Sequence, residues 1–355
     1  MKKRLSLFLA MLLLAGLLSA CAGTPVPPPA VSSSTPAPTA APEPEPTPEP
    51  PPEPTPEPTP EPTPEGPDYD PAALHPMLWE VQDADGHKLY LFGTIHVGDE
   101  RNEAVLEKIS PILLSCDALA VEFDAVAYQK DMGAMMADYQ QFVYTDGSTV
   151  REHMPEGLYD RCVELLTEAN AYSSLLDHYN LGMWSNLVES AALLTRSSLQ
   201  TDCAMDSLLI HRAYDREIPV LDVESAAFQM SLLNSFPDEL NLLIIRQVLD
   251  ALDSYGESNE QLYSAWLDGD YDAFLALFLD AEGSEDLTEE ERALVDDYNK
   301  AMVDDRNYGM AEVAEGYLKS GDTVFFAVGT GHMVGDTGLV QLLRDAGYTV
   351  ERVEY

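Results

Sequence analysis

The apolar positions of this chain change period from block to block. Residues 77–82 and 88–92 are short apolar-rich runs separated by Asp83-Ala-Asp-Gly86, and this predicts two strands joined by a hairpin turn. Residues 103–114 shift to helical spacing, with Val105, Leu106, Ile109, Leu113 and Leu114 on one stripe. Residues 118–124 return to a buried-strand pattern that carries Glu122 inside its apolar run. From 125 to 215 the spacing is mostly helical, with clear amphipathic stretches at 155–170 and 186–194. A short strand is expected at 218–223, just before Glu224. Helical spacing then continues to about residue 319, with breaks expected near Gly256 and at 281–284. The end of the chain reads as strand 323–328, helix 337–346 and strand 348–353. Strands and helices alternate at both ends and helices fill the middle. The expected fold is therefore α/β (α+β): a mixed β-sheet of two similar β/α halves, with a large helical insertion at about 125–320.

The two ends also share a motif. Leu89-Tyr-Leu-Phe-Gly-Thr-Ile-His-Val-Gly-Asp99 returns as Val324-Phe-Phe-Ala-Val-Gly-Thr-Gly-His-Met-Val-Gly-Asp336. Each copy is an apolar run, then Gly-Thr-x-His, then Gly-Asp. The glycine lets the chain turn as the strand ends. The histidine is then presented past the carboxyl end of the strand, where open α/β sheets build their sites. Folding that brings His96 and His332 together would let both hold one metal ion. Glu122 belongs with them, because a carboxylate in an apolar strand needs a partner. It is a metal ligand, a catalytic base or half of a buried ion pair. His75, His87, His153, His178 and His211 lack the repeated context and are expected to be surface or core residues.

The first 70 residues are of another kind. Lys2, Lys3 and Arg4 precede an apolar stretch from about 5 to 18, too short for a membrane span. It ends in Leu18-Ser-Ala-Cys21, which resembles a bacterial lipobox. Residues 1–21 are thus expected to be a lipoprotein signal peptide, with Cys21 the lipidated first residue. Residues 22–70 are rich in Pro, Glu and Thr and cannot form a core. Their polyproline character would let them reach on the order of 140 Å, a spacer between membrane and domain. Residues 71–355 are long enough for one large domain with an insertion. The expected location is extracytoplasmic, on the cell membrane through the lipid alone. The net charge of −43 argues against nucleic acid as a partner. Beyond Cys21, only Cys116, Cys162 and Cys203 remain. They have no Cys-x-x-Cys spacing and are expected to be structural thiols.

The residues after the spacer resemble the TraB/PrgY/GumN family, relatives of the Tiki metalloproteases. The resemblance rests on residues 93–96 and 329–332, on Glu122, and on the ending Gly-His-Met-Val-Gly-Asp-Thr-Gly-Leu-Val. It also rests on Ala204-Met-Asp206 with Val220-Leu-Asp-Val-Glu224, and on Arg306-Asn307. Ala204 departs from the family's glycine at that position. The resemblance implies a fold like that of erythromycin-esterase-like and ChaN-like proteins. It implies a divalent-metal-dependent hydrolase, peptidase in the Tiki-type members, acting on a peptide or small-molecule substrate.

The roles that follow are these. His96 and His332 are the metal ligands, with Glu122 as carboxylate ligand, for Mn, Co, Fe or Zn. Alternatively Glu122 is the general base and Glu224 supplies the carboxylate ligand. Asp99 and Asp336 are candidate acceptors of the imidazole N–H groups, or helix caps. Arg306 is the second catalytic candidate, binding a substrate carboxylate or offsetting negative charge, or else is paired with Asp206 or Glu224. Asp206, Glu224 and Asn307 are further candidates for supporting the ligands or contacting the substrate. Two other readings stand beside the metallohydrolase: a non-catalytic lipoprotein that sequesters a peptide or small ligand, and a metal- or haem-handling protein.

Overall fold

The computed structural model describes residues 69–282 and 287–355. The basic n-region, Cys21 and nearly all of the Pro/Glu/Thr-rich segment lie outside the described residues, as does part of the expected break at 281–284. The strands are β1 (Leu78–Gln82), β2 (Lys88–Thr94), β3 (Ala118–Val121), β4 (Val220–Asp222), β5 (Val324–Gly329) and β6 (Thr349–Arg352). The helices used below are α1 (Arg101–Leu113), α2 (Leu181–Arg196), α3 (Met205–Asp215), α4 (Ala226–Leu233), α5 (Asp238–Leu267), α6 (Asp305–Ser320) and α7 (Leu339–Asp345).

The strands form one six-stranded mixed sheet in the order β4-β3-β5-β2-β1-β6. β4, β3, β5 and β2 run parallel, while β1 pairs antiparallel with both β2 and β6. Every residue of β5 is buried, as expected for a central strand covered on both faces. Phe325 packs on Phe92, which meets Trp266 of α5 edge to face on one side of the sheet. Its neighbour Phe326 meets Tyr317 of α6 on the other side. Edge strand β6 keeps exposed positions at Thr349 and Glu351.

The expected break near Gly256 is absent, because α5 runs unbroken from Asp238 to Leu267. A β-carbon on Gly256 would lie 1.8 Å from the Arg196 carbonyl oxygen. The glycine is there to let the end of α2 reach the α5 backbone, a packing need that looks like a helix breaker in sequence. β3 is shorter than expected, since Asp124 leaves the strand and accepts the Ala127 N–H at the start of a one-turn helix. No helix among the described residues is long and apolar enough to cross a membrane.

Candidate metal centre

The two histidine turns lie side by side. β2 and β5 are parallel neighbours, with Gly93 opposite Val328 and Thr94 opposite Gly329. Their carboxyl ends therefore open at the same edge. The copies are out of step by one residue. Thr94 stays in its strand, whereas Thr330 to His332 wind into a short 3₁₀ turn. The Thr330 hydroxyl donates to the Thr94 carbonyl at 2.8 Å and ties the two turns together.

His96 is fixed by α3. Its Nδ1 lies 2.8 Å from Asp206 Oδ2, and the Thr94 hydroxyl donates to Asp206 Oδ1 at 2.5 Å. Asp206 sits in the first turn of α3, where the Met205 N–H donates to the Ile95 carbonyl at 3.0 Å. Burial pulls the His96 pKa down, but the Asp206 carboxylate outweighs it and the net shift is upward.

His332 is fixed by α6. Its Nδ1 lies 2.6 Å from Asn307 Oδ1, and the Asn307 amide donates to the Thr337 carbonyl at 3.0 Å. That second bond sets the amide orientation, so His332 carries its proton on Nδ1 and leaves the Nε2 lone pair free. His332 is fully buried, and Nε2 has no hydrogen-bond partner. Burial and then the nearby Arg306 guanidinium push its pKa down to about 3.

Glu122 comes from the end of β3. Its Oε1 accepts the Gly329 N–H at 3.0 Å and lies 4.0 Å from His332 Nε2. Its Oε2 accepts from Arg306 Nη2 at 2.6 Å and from Gln229 Nε2 at 2.9 Å. Burial alone would raise its pKa; Arg306, the two histidines and the Gly329 N–H together hold it well below the usual carboxylate range. Glu224 follows β4 beside it and accepts from Arg306 Nη2 at 2.7 Å and from Gln229 Nε2 at 2.9 Å. Arg306 also donates through Nε to Glu224 at 3.0 Å and through Nη1 to the Met302 carbonyl at 3.1 Å. A π turn at Lys300–Asp304 precedes α6 directly. Consecutive residues Arg306 and Asn307 in the first turn of α6 both reach the site.

A methyl group built on Gly329 would lie 3.3 Å from Glu122 Oε1, 3.5 Å from His96 Nε2 and 3.7 Å from His332 Cδ2. The two imidazoles and one carboxylate oxygen therefore face one small space over the Gly329 backbone. Among the described residues, no group of three or more His, Cys, Asp or Glu is placed closely enough to hold a metal ion as it stands. The donors nevertheless suit a divalent ion of the Mn-to-Zn series. An unpartnered, buried, neutral imidazole nitrogen beside a carboxylate oxygen is costly unless something accepts its lone pair.

Several expectations change here. Asp99 does not meet an imidazole: it pairs with Arg101, Nη2 to Oδ2 at 2.7 Å, accepts the Arg101 N–H at 2.9 Å, and accepts from Tyr263. Asp336 is exposed and meets neither histidine. The Nδ1 atoms of the two imidazoles face Asp206 and Asn307 instead, both among the residues expected to surround the ligands or the substrate. Arg306 is only 4% exposed and gives its N–H groups to Glu122, Glu224 and a backbone carbonyl, so it is their counter-ion and not a clamp for substrate. Glu224 is bound up with Arg306 and Gln229, and it is Glu122 that faces the histidines. Gln229 was not foreseen, since one amide in an apolar helix carries no motif or period. Cys116, Cys162 and Cys203 are free thiols. Burial pushes Cys116 and Cys162 up to about 12, which suits inert structural groups.

The family model of the TraB/PrgY/gumN family matches residues 77–352. A "Metalloprotease TIKI homolog" from Amphimedon queenslandica is 22% identical over 335 residues, covering 79% of this chain and 62% of that relative. The chain thus spans less than two thirds of that protein's length. No solved structure matches. The family match takes in both histidine turns, Glu122 and every residue that holds them, and the chain belongs to the TraB/PrgY/gumN family.

Proposed function

We propose that this protein is a divalent-metal-dependent hydrolase that cleaves peptides, with His96, His332 and Glu122 holding the ion. One observation carries the reading: the buried, unpartnered Nε2 of His332 faces the same space as His96 Nε2 and Glu122 Oε1. The metalloprotease name of the distant relative adds support for the reaction class. A divalent ion in this space would act as a Lewis acid toward an amide and generate a nucleophile from water. The chain supplies the rest. Asp206 and Asn307 grip each Nδ1, so both Nε2 atoms turn inward. Glu122 acts as the carboxylate ligand, because its Oε1 lies beside both imidazoles while its Oε2 is taken by Arg306 and Gln229. Arg306 neutralises Glu122 and Glu224 from behind. That the fold follows the erythromycin-esterase and ChaN-like plan is part of the same proposal and rests on the family resemblance alone.

The test is a peptide library incubated with the full chain, with and without a chelator. The reading expects cleavage that the chelator abolishes and Mn2+ or Zn2+ restores. Peptide binding without cleavage, unchanged by the chelator, would favour a sequestering protein. We propose further that Cys21 is lipidated and holds the domain outside the cytoplasm at the membrane surface. Cys21→Ala should then shift the protein out of the membrane fraction; retention with unchanged processing would reject the anchor.

A further inference from the structure

We infer that Gln229 is a positioning residue that holds Glu122 so that one carboxylate oxygen, Oε1, faces the two histidines. The inference rests on the metal-site reading above and goes beyond it. The last torsion of a glutamate side chain is soft, with broad and roughly two-fold preferences. Nothing in the β3 backbone fixes the plane of the Glu122 carboxylate; the donors around it do. Oε1 is held by the Gly329 N–H at 3.0 Å. Oε2 is held by Arg306 at 2.6 Å and by Gln229 at 2.9 Å. Glu224 Oε2 takes the same two donors, at 2.7 Å and 2.9 Å. Two carboxylate oxygens and two nitrogens thus close a ring of alternating acceptors and donors.

The chemistry of the amide suits this place. Two like-charged carboxylates on one guanidinium repel each other. The Gln229 NH2 group has two hydrogens and donates one to each, without adding charge. Its location follows from the sequence. Glu224 N–H donates to the Glu122 carbonyl at 2.8 Å, continuing the β3–β4 pairing. Ser225 then accepts the Phe228 N–H at 3.1 Å and starts α4, which brings Gln229 back over both glutamates in one turn. Gln229 is buried, in a helix that is otherwise mostly apolar. A methionine of similar length would fill the same space but give no N–H to either carboxylate.

The test uses Co2+ as the probe, titrated into the full chain and followed by its visible ligand-field bands. The wild type should bind Co2+ saturably. Gln229→Met should bind about 10–100-fold more weakly, with an altered band envelope, while thermal unfolding stays cooperative. The exchange Glu224→Gln/Gln229→Glu keeps the number of charges but sets a carboxylate against Glu122; it should not restore affinity. Should Gln229→Met fail to fold, Gln229→Asn decides, because it keeps an amide but withdraws it by one methylene, and it should weaken binding likewise. Equal affinity and an unchanged envelope in the folded Met or Asn variant would overturn the inference, as would full rescue by the exchange. No Co2+ binding by the wild type would instead remove the metal-site reading itself, and the inference with it.

Discussion

The two Gly-Thr-x-His turns use the same letters and reach opposite electrostatic states. His96 leans on a carboxylate, Asp206, and its pKa rises. His332 leans on a neutral amide, Asn307, is completely buried, and falls to about 3. The one-residue stagger between β2 and β5 is the geometric difference between the copies. It leaves Thr94 in its strand, donating to Asp206, while Thr330 packs over Gly93 and ties back to Thr94. A duplicated motif thus supplies two imidazoles of unequal basicity. His96 is the stronger donor and the easier one to protonate; His332 is neutral throughout the physiological range.

The largest test removes what the turns share. Arg306 lies near both histidines, pulls against protonation of each, and is the counter-ion shared by Glu122 and Glu224. Arg306→Met would leave two buried carboxylates without their counter-ion. We expect a loss of about 3–5 kcal/mol of stability, read by denaturant unfolding. A loss below about 1 kcal/mol, the size of an exposed pair, would mean that the arginine is not the counter-ion described here.

A smaller change makes the turns alike. Asp206→Asn gives His96 a neutral partner like that of His332. Its pKa should fall, as followed by NMR titration, and divalent-metal affinity should drop about 10–100-fold. An unmoved His96 titration would break the contrast.

The smallest effect is in the pH dependence of the metal-free protein. His332 has a lowered pKa, so between about 3 and its ordinary 6.5 the unfolded chain binds the extra proton, and its contribution to stability is lost as pH falls through that window. His96 has a raised pKa, so its contribution is present below 6.5 and is lost as pH rises through the folded value. Thermal midpoints should therefore fall less steeply between about pH 6.5 and 3 in His332→Gln, and less steeply on the alkaline side in His96→Gln. The same slope lost in both variants would contradict the comparison.

Much of this was legible before folding. The hairpin at β1 and β2, the strands that carry both turns, and Glu122 all follow from local period and repeated spacing. What was not legible depends on contacts far apart in sequence. Asp206 and Asn307 could be named, but which histidine each would hold depends on how α3 and α6 dock. Gln229 gives no signal at all. The same limit appears in a second glutamate. Glu189 lies in α2, whose amphipathic spacing gave no reason to single it out. It is buried with Oε1 unpartnered, and burial pushes its pKa well above the usual range. Glu122 is as deeply buried and moves the opposite way. Burial costs both residues the same kind of penalty, and the docked partners of Glu122 reverse it.

The central claim is that His96, His332 and Glu122 together hold a divalent ion. The most direct measurement is elemental analysis of the full chain, purified without chelator, for the wild type, His96→Ala and His332→Ala. Stoichiometric Mn, Fe, Co or Zn in the wild type and none in either variant is the predicted result. Metal that persists in the folded His332→Ala protein, or a wild type that takes up none when the four ions are supplied, would contradict it.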